Sequence, residues 1–374
     1  MNIPSIQVID RYLPAGDDVG RPDSRYHTFP SLARCSDGSF ICTALVGTTK
    51  SGPDGRAKVF RSTDGCKTWA PIPSPTQWDE QAHPRCGYLM CHITELSPGH
   101  LLASYMRADR FNPDEPLFHP TTSGMQRTVV RLSSSKDNGA TWSEPWDLDY
   151  SVPDLIAPGR IIRLPDGALG MPFEVWHEWD KGFREGPSTR MVLSRDEGRT
   201  WPQAGILARD EKRQVIYGDP RPTFLPDGRI VVLTWVHNFV AGQDLPVHRS
   251  ESADNGRTWS PPVSTELIGQ IANPVSLGNN LMIAVYQRRF GDGIGMRGVL
   301  SKNHGRTWIE QTDTLLWGMQ QKLDTSNPFS GYDTFAFGYS TAMKLPDNTV
   351  LVPFWAGNGT TTCIRILQLK INEN

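Results

Sequence analysis

The chain has 374 residues, ample for a large buried core, and its formal charge of −2 gives no basic surface for nucleic acid or an anionic membrane. Its 34 Gly and 30 Pro suit a protein of many tight turns better than a helical one, and its twelve Trp offer large packing areas or platforms for sugars and bases. No run approaches the roughly 20 apolar residues that span a bilayer.

The first residues, MNIPSIQVIDRYLPAGDD, lack a basic n-region and an unbroken apolar h-region. A cytoplasmic location is the expectation. The six cysteines (Cys35, Cys42, Cys66, Cys86, Cys91, Cys363) form no CxxC pair and read as buried free thiols. From residue 30 onward, apolar hairpins recur: PSLARCSDGSFICTAL (30–45), ITELSPGHLLASY (93–105), IIRLPDGALGMPF (161–173), PTFLPDGRIVVLTW (222–235), PVSLGNNLMIAVY (274–286) and AMKLPDNTVLVPF (342–354). Each is an apolar strand, a Pro/Asp/Gly-type turn and a second apolar strand. Between them stand five near copies of an eight-residue turn: STDGCKTW (62–69), SKDNGATW (135–142), SRDEGRTW (194–201), SADNGRTW (252–259) and SKNHGRTW (301–308). The carboxylate accepts backbone N–H bonds, the Gly allows positive φ, and the Trp covers the turn. Cys66 replaces the Gly in the first copy and Asn303 the Asp in the fifth. No stretch shows a convincing 3.6-residue period. The expected fold is all-β: a six-bladed β-propeller in one domain over 1–374, closed by IQVID (6–10) pairing beside ILQLKI (366–371). The match Asn358-Gly359-Thr360 to a glycosylation acceptor reads as a turn.

In a blade, the start of the first strand and the end of the second reach the same face, so these ends line a central funnel. Eight positions before the hairpin Asp stand Tyr339 in the sixth hairpin and Asp219 in the fourth; His27 and Thr28 lie slightly further out in the first. Second-strand ends contribute Arg107, Glu174, His177, Trp235, His237, Gln287, Arg288 and Trp355. This set is more polar than packing requires and favours a ligand site.

The S-x-D-x-G-x-T-W repeat resembles the Asp-box (BNR repeat) of the sialidase superfamily, with six hairpins in register over nearly the whole chain. The boxes imply a structural role, because they lie on turns away from the axis. The resemblance implies Tyr339 as nucleophile, in its Tyr-Ser step, and Asp219 in the place of the family's Glu base; a phenol with pKa near 10 needs such a carboxylate. It implies Asp54, in GTTKSGPDGR (47–56), as general acid. The family's three carboxylate-binding arginines fall on Thr28, on Trp235 and near Arg297, so the pattern departs from a sialate clamp. The expected substrate is therefore a sugar lacking that carboxylate, or one held through Arg85, Arg221 or Arg288.

Three functions compete. The first is an exo-acting glycoside hydrolase with Tyr339 and Asp219 at the anomeric carbon and Asp54 or Glu174 as the acid; an Asp219–Glu174 pair alone would make a two-carboxylate enzyme. The second is a lyase on an acidic or oxidised sugar using His83, His237 and Tyr339 with Arg85 or Arg221. The third is a carbohydrate-binding propeller without catalysis. The nine His show no HxH or HExxH, so no metal is expected, nor any cofactor. The expected partner is a small carbohydrate or oligosaccharide, with neither nucleic acid nor membrane. The long connections 107–125, 176–190, 238–247 and 315–333 are expected to shape the funnel rim.

Overall fold

The computed structural model describes residues 3–15, 26–110, 112, 114–150, 152, 154–318, 337–338, 341–357 and 361–373. Tyr339 and the turn 358–360 lie outside them, as does most of the 315–333 connection.

Six antiparallel meanders follow one another along the chain. Blade one runs through Tyr26–Arg34, Phe40–Gly47, Arg56–Ser62 and Ala70–Ile72. Blade four repeats it with Val215–Phe224, Ile230–Asn238, Gln243–Ser252 and Val263–Ser264, and blade five with Gln270–Gly278, Leu281–Arg288, Gly295–Ser301 and Ile309–Gly318. Second strands are sandwiched between neighbouring blades, which is why they read as continuous apolar runs rather than alternating ones. Val350–Gly357 is buried at every residue but its last, and fully buried side chains such as Phe354 contribute about 1.5–3 kcal/mol each.

The ring closes as the sequence implies. In blade six, Thr362–Asn372 pairs on its outer edge with Ser5–Ala15, in the register Ile6↔Ile371 and Val8↔Leu369. The eight-residue boxes join third and fourth strands. In the third box, Ser194 Oγ donates to Asp196 and accepts from Gly198 N–H, while Asp196 accepts from the Thr200 N–H and hydroxyl. Burial, the largest single influence, pushes the Asp196 carboxyl up, but these bonds together outweigh it and hold the carboxyl down at about 2. In the fifth box the Asn303 amide accepts from Thr307 N–H and donates to the Thr307 hydroxyl, so the turn survives the exchange with one donor direction reversed. Cys66 takes φ 74° where the other boxes have glycine.

Candidate active site

Four inner strands break register at one equivalent place: between Thr28 and Ser31, Leu89 and Cys91, Gly218 and Arg221, and Gln270 and Asn273. At each break a non-glycine residue takes left-handed backbone: Phe29 (φ 49°), Met90 (44°), Asp219 (48°) and Ile271 (47°). Each stands eight residues ahead of its hairpin turn position, namely Asp37, Pro98, Asp227 and Asn279. All four line one cavity at the centre of the ring. Such a bulge re-aims a side chain out of the pleat, and strained backbone of this kind concentrates at functional sites.

The second strands build the rest of the wall through a large-opposite-small rule. Trp235 pairs with Gly218, Trp355 with Gly338, and Glu174 with Ala157. The glycines are required: a Cβ on Gly218 would stand 2.9 Å from both Glu174 Oε2 and Trp235 Cε3, and one on Gly338 would stand 2.6 Å from Arg289 Nη2. Leu117 and Phe118, from the 107–125 connection, add an apolar lip, with Phe118 packed edge-on to Trp176 at 6.0 Å.

Two residues further along the inner strands come Ser31, His92, Arg160, Arg221, Asn273 and Thr341, a polar layer under the cavity. Arg160 Nη1 reaches from blade three to the Leu32 carbonyl of blade one at 3.0 Å, so a guanidinium crosses the axis. Burial, with Arg221 and Arg160 adding to it, pushes the His92 imidazole down to about 3, so it is neutral. Arg221 donates to Asp219 Oδ1 at 2.9 Å.

Glu174 lies against this layer. Its Oε2 accepts the Asp219 backbone N–H at 2.9 Å. Burial first, and the Asp219 charge second, push its carboxyl up to about 8, outweighing that hydrogen bond and the attraction of Arg221. Because Oε2 is the acceptor, Oε1 is left to carry the proton. The cavity therefore pairs a carboxylic acid with a carboxylate ion-paired to arginine. Among the described residues its cations are Lys50, held over the Phe29 and Trp355 rings at 5.8 and 5.4 Å, and Arg289, which donates to Gln270 Oε1 at 2.7 Å.

Of the residues expected from sequence, Asp219, Glu174, Trp235 and Trp355 come together in this cavity. The others have different places. Asp54 accepts the Thr48 N–H and hydroxyl, so its carboxylate ties its own turn rather than facing the funnel. His83 caps the short helix Gln77–Ala82, and both His83 and Arg85 are exposed. Arg107 bridges Asp79 and Asp109. His27 is bonded to Thr362 and buried Thr28 to the Lys50 carbonyl. His177 holds the Lys181 carbonyl and stacks on Trp176. Arg221 lies beneath Asp219 instead of lining the cavity. Arg288 and Arg297 both pair with Asp313. His237, Gln287 and Arg288 line an adjoining cleft of ≈ 380 Å³ between blades four and five, which shares Gln270 and Arg289 with the funnel. The sequence reading missed Lys50, Trp176, Gln270 and Arg289; the count of eight, applied to every hairpin, would have found Phe29, Met90 and Ile271.

Residues 116–286 match the BNR repeat-like domain. A protein of unknown function from Dyadobacter fermentans superposes over 99% of this chain and 100% of its own, with TM-score 0.75 and 19% identity. The fold is a six-bladed β-propeller of the architecture that sialidases also have. Hadza microbial sialidase Hz136 is similar at 20% identity and TM-score 0.66 over 92% of this chain, which spans 65% of Hz136. The Penicillium chrysogenum α-L-arabinanase complexed with arabinobiose is similar at 14% identity and TM-score 0.58, over 96% of this chain and 98% of its own. At these identities the likeness speaks for architecture. Among the described residues lining the cavity the cations are Lys50 and Arg289, while Thr28 and Trp235 occupy the places where the sequence resemblance implied arginines.

Proposed function

We propose that the chain is an exo-acting glycoside hydrolase that removes a terminal sugar other than an ordinary sialoside. The carrying observation is the Glu174–Asp219 pair. The Glu174 carboxyl accepts the backbone N–H of Asp219, whose own carboxylate pairs with Arg221, and these different surroundings suit the two groups to the opposite tasks acid–base catalysis needs. Glu174 Oε1 donates its proton to the departing glycosidic oxygen as the C–O bond breaks. Asp219 takes the proton of the attacking group, for which the register count nominates the Tyr339 phenol; water then releases the sugar and returns the protons. Trp235 and Trp176 offer ring faces for stacking, and the Arg160 crossing under the cavity favours a blind funnel that accepts a chain end. The likeness to sialidases and an arabinanase supports the hydrolase class.

The test is a panel of aryl glycosides and natural oligosaccharides, with wild type against Glu174→Gln, Asp219→Asn and Tyr339→Phe. Loss of the acid should lower kcat/KM for poor leaving groups by about 10²–10⁴ and spare dinitrophenyl glycosides, which depart without protonation. Full activity of Glu174→Gln on a natural oligosaccharide would sink the acid assignment. Tight sugar binding without turnover would instead make the propeller a carbohydrate-binding protein.

A further inference from the structure

One acceptor outside the funnel controls three residues inside it. Asp244, on the strand Gln243–Ser252, lines the adjoining cleft and not the central cavity. Its Oδ1 accepts from Trp235 Nε1 at 2.9 Å and from His237 Nδ1 at 2.8 Å, and its Oδ2 accepts from Gln270 Nε2 at 2.6 Å. Gln270 Oε1 in turn accepts from Arg289 Nη1 at 2.7 Å, and Arg289 Nη2 donates to the Phe337 carbonyl at 3.2 Å. Trp235, Gln270 and Arg289 all line the central cavity.

The order of donors and acceptors along this relay is forced. A carboxylate only accepts and a guanidinium only donates, so the amide between them has one workable orientation. Its NH₂ must face Asp244 and its oxygen must face Arg289. Turning the amide over would set NH₂ against guanidinium at one end and oxygen against carboxylate at the other. The same carboxylate fixes the plane of the Trp235 indole through Nε1.

We propose that Asp244 is a positioning residue for sugar recognition: its charge sets the Gln270 amide, which aims Arg289 at an oxygen acceptor on a ring stacked against Trp235. This rests on the central cavity being a sugar site, but not on hydrolysis taking place there.

The experiment is a charge relocation. Asp244→Asn puts an NH₂ against the Gln270 NH₂ and should raise KM about tenfold or more for the aryl glycoside that wild type hydrolyses fastest, with kcat changed less than about threefold. Gln270→Glu alone sets two carboxylates together and should also weaken binding. Combining the two restores alternation: the asparagine NH₂ donates to the new carboxylate, which accepts from Arg289. KM should then return to within about threefold of wild type, a reciprocal rescue that a merely structural role does not produce. Calorimetric titration of the same three variants with arabinobiose, lactose and sialyllactose reads binding apart from turnover. If turnover is absent throughout but binding falls in Asp244→Asn and returns in the double variant, the hydrolase reading fails and this inference stands. Undiminished binding in Asp244→Asn, a double variant no better than the singles, or a wild type that binds none of the three sugars would overturn it.

Discussion

Replacing Glu174 by glutamine should make the protein more stable at high pH while making it a poorer catalyst. The glutamine carbonyl still accepts the Asp219 N–H, so the structural bond is kept and only ionisation is removed. Unfolded, this glutamate titrates near 4.5, while in the fold burial and the Asp219 charge raise it to about 8. The folded chain thus binds the proton more tightly. The advantage of the neutral carboxyl is complete below about 4.5 and is lost as pH rises toward 8, beyond which the fold contains an unwelcome anion. A displacement of this size corresponds to at most roughly 5 kcal/mol at 1.36 kcal/mol per pH unit, and roughly 2–5 kcal/mol once the solvent reaching the funnel wall is allowed for. A chain of this length has an unfolding entropy of about 0.8 kcal/mol/K, so the variant should melt roughly 3–6 °C above wild type at pH 9. At pH 4 the two should coincide. Thermal melts at half-unit pH steps, with kcat/KM measured on the same samples, test both signs together. A melting difference that stays flat from pH 4 to 9 would refute the assignment of a neutral acid at this position.

Gly218→Ala should push the Glu174 carboxyl group and the Trp235 ring apart, since the new methyl would stand 2.9 Å from each; activity should fall at least tenfold at a cost of about 1–3 kcal/mol in stability, read by kinetics and urea melts. Gln287 is fully buried, and neither amide atom has a partner among the described residues. Gln287→Leu should therefore stabilise by about 1–3 kcal/mol, seen as a higher urea midpoint at unchanged slope. In the third box, Gly198 has φ 86°, and a Cβ there would sit 2.7 Å from Leu102 Cδ2 of the neighbouring blade. Gly198→Ala should cost about 2–4 kcal/mol from left-handed backbone and overpacking together, with calorimetry as the check.

The fold was legible because its signals are local and repeated: an apolar strand, a turn, another strand, and a box whose side chains bond within eight residues. Half of the site was legible for the same reason. A fixed count from the hairpin turn reaches the bulge, so Asp219 could be placed without coordinates, as could Trp235 and Trp355 from second-strand ends. The rest depends on contacts that no spacing reveals. Arg288 and Arg289 are adjacent, and alternation along a strand turns one toward Asp313 and the other toward Gln270. Asp54 has the right sequence distance for an acid, but a neighbouring Thr48 takes both its oxygens. Lys50 reaches the cavity from a connection, and its burial between two rings is a property of the folded loop.

The strongest link between architecture and chemistry is the cluster formed by Glu174, Asp219 and Arg221, and it has a measurable coupling. Arg221 is buried under Asp219, and the neighbouring Arg160 adds a second guanidinium to the same layer. With Asp219 ionised, its charge opposes that of a Glu174 carboxylate, and Glu174 holds its proton. In Asp219→Asn the backbone N–H bond to Glu174 persists, but the repulsion is gone and Arg221 loses a carboxylate. Glu174 should then ionise more readily than in wild type, because the second of the two effects that raise it is gone and the attraction to Arg221 remains, although burial still opposes the charge. The stability gained at pH 9 by Glu174→Gln should accordingly shrink in the Asp219→Asn background, since the ionised glutamate no longer faces a second carboxylate and pairs better with Arg221. A double-mutant cycle in urea should give an interaction of about 1–3 kcal/mol between the two positions at pH 9 and little at pH 4, where Glu174 is neutral in either background. Equal effects of Glu174→Gln with and without the Asp219 carboxylate would show that burial alone raises the acid. The proposed division of labour between the two carboxyl groups would then lose its electrostatic basis.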